Sequence, residues 1–139
     1  MAVNTTTLIQ RAREALLKAY APYSKHPVGA ALVADDGSLY AGCNIENAAY
    51  PLGHCAEATA IGSMVLAGNR HITHIVIVGP GEHACTPCGG CRQKIREFSG
   101  PEGVAITICN NDGDVLLETT IAELLPHAFG PDNVQETNR

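Results

Sequence analysis

Three cysteines stand at the starts of two helical patterns that lie far apart in the chain. Cys55 opens the apolar segment CAEATAIGSMVLA, and Cys88 and Cys91 form a C-x-x-C pair at the start of CGGCRQKIREF. A helix N-terminus carries partial positive charge, so it favours a thiolate over a thiol. Two thiolates do not complete a catalytic metal site, and we expect the third ligand at the other helix start. A fold of this chain must therefore bring the two helix starts together.

Hydrophobic periodicity along the 139 residues predicts one domain spanning 1–139, in which helices and strands alternate. The predicted helices cover 5–20, 55–67, 88–98 and 121–125, and the predicted strands cover 28–34, 38–45, 74–78, 104–109 and 115–119. This order predicts an α/β fold, a three-layer α/β/α sandwich with one mixed five-stranded sheet. The last two strands should pair antiparallel, because a tight turn joins them. The tail over 127–139 is predicted to be mostly irregular.

Charge and composition exclude several classes of function. The net charge is −5 and no basic stripe is present, so we expect no nucleic-acid partner. No apolar run approaches the roughly 20 residues of a membrane span, so we expect no membrane partner. Six cysteines at close spacing favour a metal over disulfides in an intracellular protein, and the N-terminal residues lack a signal-peptide pattern. A cytoplasmic protein is the expectation.

Glu57 follows Cys55 by two residues, so both can face one cavity from the first helical turn. A Cys or His, one residue, a Glu and a later P-C-x-x-C form the known signature of zinc deaminases, in which the Glu moves protons without binding the metal. Cys88 and Cys91 could instead form a redox pair. We interpret Cys85 as a bystander thiol and His54 as a neighbour of the site rather than a ligand.

The remaining thiols have a simpler interpretation. Cys43 and Cys109 lie in predicted strands, and we expect both in the core because a free cysteine behaves there as a small apolar residue.

The chain resembles the small homotetrameric cytidine deaminases of pyrimidine salvage over residues 21–134. The matching stretches are APYSKHPVGAAL, GCNIENAAYPLGHCAEATAI, PCGGCRQ and ELLPHAFGP. The resemblance implies one Zn²⁺ per chain, bound by Cys55, Cys88 and Cys91 with water in the fourth position. Glu57 is implied to move protons between that water, the base and the departing amine.

The resemblance also implies a set of substrate contacts to a cytosine nucleoside. Asn44 and Glu46 are expected to bind the ribose hydroxyls, for which an amide and a carboxylate are well suited. The backbone of Ala56 and the carbonyl of Thr86 are expected to contact the base. Tyr50 is also expected to bind the substrate. Phe129 is expected to reach into a neighbouring subunit's site and stack on the pyrimidine.

Two positions depart from the family pattern. Ala58 stands where arginine usually offsets the charge of three thiolates, and we expect His54, Arg92 or the helix starts to supply some of that compensation. His26 stands where a phenylalanine usually packs on the base, and an imidazole adds a hydrogen-bonding group.

These departures leave alternatives open beside deamination of cytidine and 2′-deoxycytidine. The first is the same reaction on a modified cytosine nucleoside or a nucleoside antibiotic. The second is a catalytically inactive zinc protein, against which the acid at Glu57 argues.

Overall fold

A computed structural model describes residues 4–135 as a mixed sheet with helices on both faces. The helices are α1 (Thr5–Leu16), α2 (Ala56–Leu66), α3 (Gly89–Glu97), α4 (Ile121–Leu124) and α5 (Pro131–Gln135). The strands are β1 (Gly29–Ala34), β2 (Leu39–Cys43), β3 (Ile72–Gly79), β4 (Ala105–Asn110) and β5 (Val115–Thr120). A short 3₁₀ helix, Tyr50–Leu52, lies in the loop before α2. Within the described range, no helix has the length and apolar character needed to cross a bilayer.

The five strands lie in the order β2-β1-β3-β4-β5. Only β3 and β4 pair in parallel, and α3 makes the crossover between them, whereas the other neighbours are antiparallel. The prediction of a mixed five-stranded sheet is therefore confirmed, including the antiparallel last pair. Strand β1 is buried at all six positions because the sheet is covered on both faces there.

Alternate residues of the central strands enter two separate apolar layers. Helix α1 covers one face with Leu8, Ala12 and Leu16, which recur every four residues and are all buried. Asn4 caps this helix, since its Oδ1 accepts a hydrogen bond from the Thr7 amide at 2.8 Å. Helices α2 and α3 cover the opposite face, which is the side on which all three cysteines of the two helix starts lie.

Glycines allow the helices to lie unusually close to the sheet. A Cβ at Gly42 in β2 would stand 2.3 Å from the Ala60 amide nitrogen of α2. A Cβ at Gly29 in β1 would stand 2.1 Å from the Ala12 carbonyl oxygen of α1. Real Cβ atoms do not approach backbone this closely, so the spacing of both layers depends on glycine at these positions.

Several predicted boundaries were wrong. The first helix ends at Leu16 rather than at residue 20, because the Tyr20 amide donates to the Asn44 carbonyl and its own carbonyl accepts from the Glu46 amide. A short helix, α5, occupies residues 131–135 of the tail that was predicted to be mostly irregular, and residues 136–139 of that tail lie outside the described range. Cys109 is buried as predicted, but Cys43 is partly exposed because it ends the edge strand β2.

Candidate metal and nucleoside site

The starts of α2 and α3 meet on one face of the sheet. Cys55 is the N-cap of α2 and Cys88 is the N-cap of α3, both with extended backbone, while Cys91 lies in the first turn of α3 and is fully buried. The three sulfurs lie within 4.8 Å of one another, and Cys55, Cys88 and Cys91 are the one such group of potential ligands found within residues 4–135. The structure therefore brings together the three cysteines that the sequence singled out.

The donor set fits zinc. Thiolate sulfurs bind Zn²⁺ at about 2.3 Å, and a tetrahedral arrangement places them about 3.8 Å apart. The observed upper limit of 4.8 Å requires only small side-chain adjustments to reach that spacing. Three sulfurs leave a fourth tetrahedral position, as a catalytic zinc site requires.

The pKa values of the three thiols shift in different directions. Hydrogen bonds from the backbone amides of Cys91 and Gly90 lower the pKa of the Cys88 thiol, because they stabilise its anion. Burial raises the pKa of Cys55, and burial with the negative charge of Glu57 raises that of Cys91. A bound cation is therefore needed for all three to be thiolates together, and the α3 amides offset part of the resulting charge.

Glu57 lies in the first turn of α2 and is only 4% exposed. Burial raises the pKa of its carboxyl group, while a hydrogen bond from the Cys91 thiol and the positive charge of Lys94 act in the opposite direction. A carboxyl group with a raised pKa beside a metal site is suited to accept and return a proton.

Asn44 and Glu46 follow strand β2 and bind the loop of residues 21–28. Asn44 donates from Nδ2 to the His26 carbonyl at 3.0 Å, and its Oδ1 accepts from the Val28 amide at 2.9 Å. Glu46 accepts from the amides of Tyr23 and Ser24 through Oε1, and from the Ser24 hydroxyl through Oε2. These hydrogen bonds lower the pKa of Glu46, and the bond from the Ser24 hydroxyl has the largest effect. The predicted ribose ligands thus also hold the loop.

A cavity of about 300 Å³ opens beside Glu46. Its lining residues are Tyr23, Ser24, Glu46, Asn47, Tyr50 and Gly53. The rings of Tyr23 and Tyr50 meet edge to face, with centroids 6.0 Å apart. A larger cavity of about 560 Å³ lies between the end of α3 and the tail, and none of the three cysteines lines either cavity. The smaller cavity borders Glu46 and Gly53, which lies two residues before Cys55, and it is therefore the better match for a nucleoside.

The other predicted substrate-binding residues differ in their exposure and contacts. His26 is exposed, and its Nε2 lies 3.7 Å from the Cys85 sulfur. Ala56 is buried and Thr86 is exposed next to Pro87. Phe129 is 61% exposed, and its carbonyl accepts a hydrogen bond from Gln93.

The side chains expected to offset the thiolate charge form no hydrogen bond to a cysteine sulfur within the described residues. Arg92 donates to the carbonyls of Pro87 and Leu124, so it braces the loop before Cys88. His54 exchanges backbone hydrogen bonds with Ile45, and its ring makes no hydrogen bond to a cysteine sulfur in the described part of the chain. Ala58 is partly exposed. The compensation visible in the structure comes from backbone amides of α3.

Sequence reasoning missed Tyr23, Ser24 and Asn47 as lining residues of the cavity. A hydroxyl and an aromatic residue, two and three residues before His26, were the available signal. Their position became visible only from the hydrogen bonds to Glu46, which cross from one loop to another.

A mixed sheet that carries three clustered thiols and one buried carboxyl group has the ligands and the proton-transfer group of a catalytic zinc site. The family described as "Cytidine and deoxycytidylate deaminase zinc-binding region" matches residues 3–107. The cytidine deaminase of Sporosarcina psychrophila is 46% identical over 127 residues, covering 91% of this chain and 92% of that protein. That of Halalkalibacterium halodurans is 41% identical over 129 residues, covering 93% and 96% respectively.

Solved structures agree with the sequence relatives. The crystal structure of cytidine deaminase from Burkholderia pseudomallei superposes with a TM-score of 0.85 at 44% identity, covering 91% of this chain and all of that chain. The chain belongs to the cytidine and deoxycytidylate deaminase family of zinc-dependent hydrolases.

Proposed function

We propose that this protein hydrolyses cytidine and 2′-deoxycytidine to uridine and 2′-deoxyuridine with release of ammonia, as a single domain acting in pyrimidine salvage. The meeting of three cysteine sulfurs and the buried Glu57 at two helix starts carries the proposal. The names of the relatives and their coverage of nearly the whole chain support the choice of substrate.

Each residue of the centre has a distinct role in the proposed reaction. Cys55, Cys88 and Cys91 hold one Zn²⁺ per chain, which when bound supplies Lewis-acid activation of water. Glu57 takes a proton from that water and passes protons to the ring nitrogen and the departing amine. Water thereby adds its oxygen to the amine-bearing carbon, and the C–N bond breaks to release ammonia.

The substrate contacts follow from the loops around the centre. Asn44 and Glu46 bind the ribose hydroxyls. Their hydrogen bonds to the loop leave one N–H group of Asn44 and free lone pairs on both side chains for these contacts. Tyr50 borders the cavity beside Glu46. The family resemblance assigns the base contacts to the backbone of Ala56 and the carbonyl of Thr86.

We further propose a homotetramer in which Phe129 of one subunit stacks on the base bound to another. The 61% exposure of Phe129 supports the proposal, because the ring is available to stack outside its own chain. A cytoplasmic location is supported by the six free thiols, which suit a reducing compartment.

A modified cytosine nucleoside is the second candidate substrate. The polar His26 beside Cys85 favours it, since an imidazole can bind a substituent that cytidine lacks. A panel of nucleosides followed by absorbance separates the two, and the substrate with the highest kcat/KM identifies the activity.

Glu57→Gln tests the reaction itself. Removing the proton-transferring carboxylate should lower kcat for cytidine by at least about 10²- to 10⁴-fold. Zinc content and melting temperature should stay close to those of the parent, because the amide has nearly the same shape. Glu14→Gln on the exposed face of α1 is the matched control and should keep full activity. Turnover that survives in the Glu57→Gln protein contradicts the mechanism.

A further inference from the structure

One contact joins two loops that enter the site from opposite parts of the chain. His26 lies in the loop between α1 and β1, and Cys85 lies in the loop between β3 and α3. The Cys85 sulfur and the His26 Nε2 are 3.7 Å apart, which is within hydrogen-bonding range for sulfur. The contact bridges the loop that Asn44 and Glu46 hold and the loop that leads to Cys88.

The backbone of His26 is fixed on both sides. Its amide donates to the Ser24 hydroxyl at 3.0 Å, and its carbonyl accepts from Asn44 at 3.0 Å. The imidazole ring is exposed, and Cys85 is the one hydrogen-bonding partner that the described residues give it. The orientation of the ring therefore depends on the thiol.

Cys85 packs closely against the end of β3. A Cβ at Gly79 would lie 2.6 Å from the Cys85 Cβ and 3.0 Å from its sulfur, so the end of β3 has room for this thiol only because residue 79 is glycine. Burial and the negative charge of Glu57 raise the pKa of the Cys85 thiol. The thiol packs against the apolar cluster that includes Ala56, on the face of the sheet that carries the three clustered cysteines. The His26 ring in contact with it therefore lies on the same face, where the proposed function requires the base to bind.

We propose that Cys85 is a positioning residue that holds the His26 ring as a wall of the base-binding pocket and thereby sets the affinity for the nucleoside. The inference rests on the proposed deaminase function and assigns a role to a thiol that the zinc site does not use. A ring held before the substrate arrives loses less rotational freedom on binding, which improves affinity without changing the chemical step.

A double-mutant cycle on KM tests this role. Cys85→Ala should raise KM for cytidine about two- to tenfold, the range of one modest hydrogen bond, and leave kcat close to the parent value. In a His26→Phe background the same substitution should have no further effect, because a phenyl ring offers no nitrogen to the thiol. Cys85→Ser, which keeps a hydrogen-bonding group, should restore part of the affinity.

Thiol labelling gives a readout that does not depend on turnover. In the zinc-loaded protein, uridine should slow the reaction of Cys85 with iodoacetamide, because the bound base covers it. Cys43, which is partly exposed at the end of β2, is the internal control and should be labelled at the same rate with and without uridine.

The outcomes separate this inference from the proposed function. Absence of cytidine turnover in the parent protein overturns the proposed function. With turnover present, an equal Cys85→Ala effect in both backgrounds, or none in either, shows that the thiol does not act through His26 and overturns the inference. Labelling of Cys85 that uridine does not slow overturns its placement at the base pocket.

Discussion

Glu46, a proposed ribose ligand, also holds the loop before β1. Its two carboxylate oxygens accept hydrogen bonds from the Tyr23 amide and from both the amide and hydroxyl of Ser24. The next residue, Lys25, has a positive φ of 58°, which is an unfavourable conformation for a side chain larger than glycine. The carboxylate therefore helps to hold a strained turn directly before His26.

Glu46→Gln should destabilise the protein most at neutral pH. The hydrogen bonds hold the folded-state pKa of Glu46 below its unfolded value, so their contribution is complete above the unfolded pKa. It is lost as the pH falls through the folded pKa, where the parent carboxylate is itself neutralised. The difference in Tm between variant and parent should therefore be largest near pH 7 and shrink below about pH 4.

Glu102→Gln is the matched control for this pH dependence. Glu102 is exposed, and it forms no hydrogen bond or ion pair within residues 4–135. Its replacement should leave Tm close to the parent value at both pH values. A Glu46→Gln deficit that stays constant across the pH range shows that the carboxylate charge is not what holds the loop.

At the scale of elements, the approach of α2 to β2 sets the position of Cys55. The helix crosses the strand at Gly42, where a Cβ would stand 2.3 Å from both the Ala60 amide nitrogen and the Thr59 hydroxyl. That hydroxyl donates to the Cys43 carbonyl at 2.8 Å, so a side chain at residue 42 also disturbs a hydrogen bond between helix and strand. The N-cap Cys55 lies one turn before Thr59 on the same helix.

Gly42→Ala should cost about 1–3 kcal/mol of the free energy of unfolding, because helix and strand must separate to admit the methyl group. Gly62→Ala on the same helix is the matched control. A Cβ there meets nothing within 4 Å, so alanine should stabilise the helix by about 0.5–1 kcal/mol. Chemical denaturation measures both values, and an equal effect of the two substitutions rules out close approach at Gly42 as the cause.

Local patterns predicted the elements well but not their ends. The four-residue spacing of Leu8, Ala12 and Leu16 predicted α1, yet its end depended on Tyr20, whose backbone bonds to a segment more than twenty residues away. Such long-range hydrogen bonds leave no periodic signal. Similarly, the thiols were predictable from their spacing, whereas the His26–Cys85 contact joins two loops and became visible only in three dimensions.

At the scale of the whole molecule, several large apolar side chains remain exposed in a single chain. Tyr20, Tyr50 and Leu52 are 54%, 76% and 64% exposed, and Phe129 is 61% exposed. Large apolar side chains that remain exposed in one chain are available to pack against another chain. Tyr50 both lines the cavity and is exposed, which supports sites that neighbouring subunits complete.

Mixing two defective variants should reveal a shared site. Phe129→Ala alone should raise KM for cytidine about two- to tenfold through the lost stacking, and Glu57→Gln alone should be inactive. In a mixed oligomer, an intact Glu57 on one chain can meet an intact Phe129 from its neighbour. Activity per Phe129→Ala chain, measured at cytidine well below KM, should therefore rise when excess Glu57→Gln chains are present during assembly.

The control for this experiment is a chain that carries both substitutions. It assembles in the same way but brings no phenylalanine, so mixing it with Phe129→Ala should leave activity per active chain unchanged. A rise of equal size with either partner means that association alone stabilises the site, and no rise with either places Phe129 in its own subunit. Only a rise specific to the Glu57→Gln partner fits an aromatic ring that crosses between subunits, since each active site then depends on two chains.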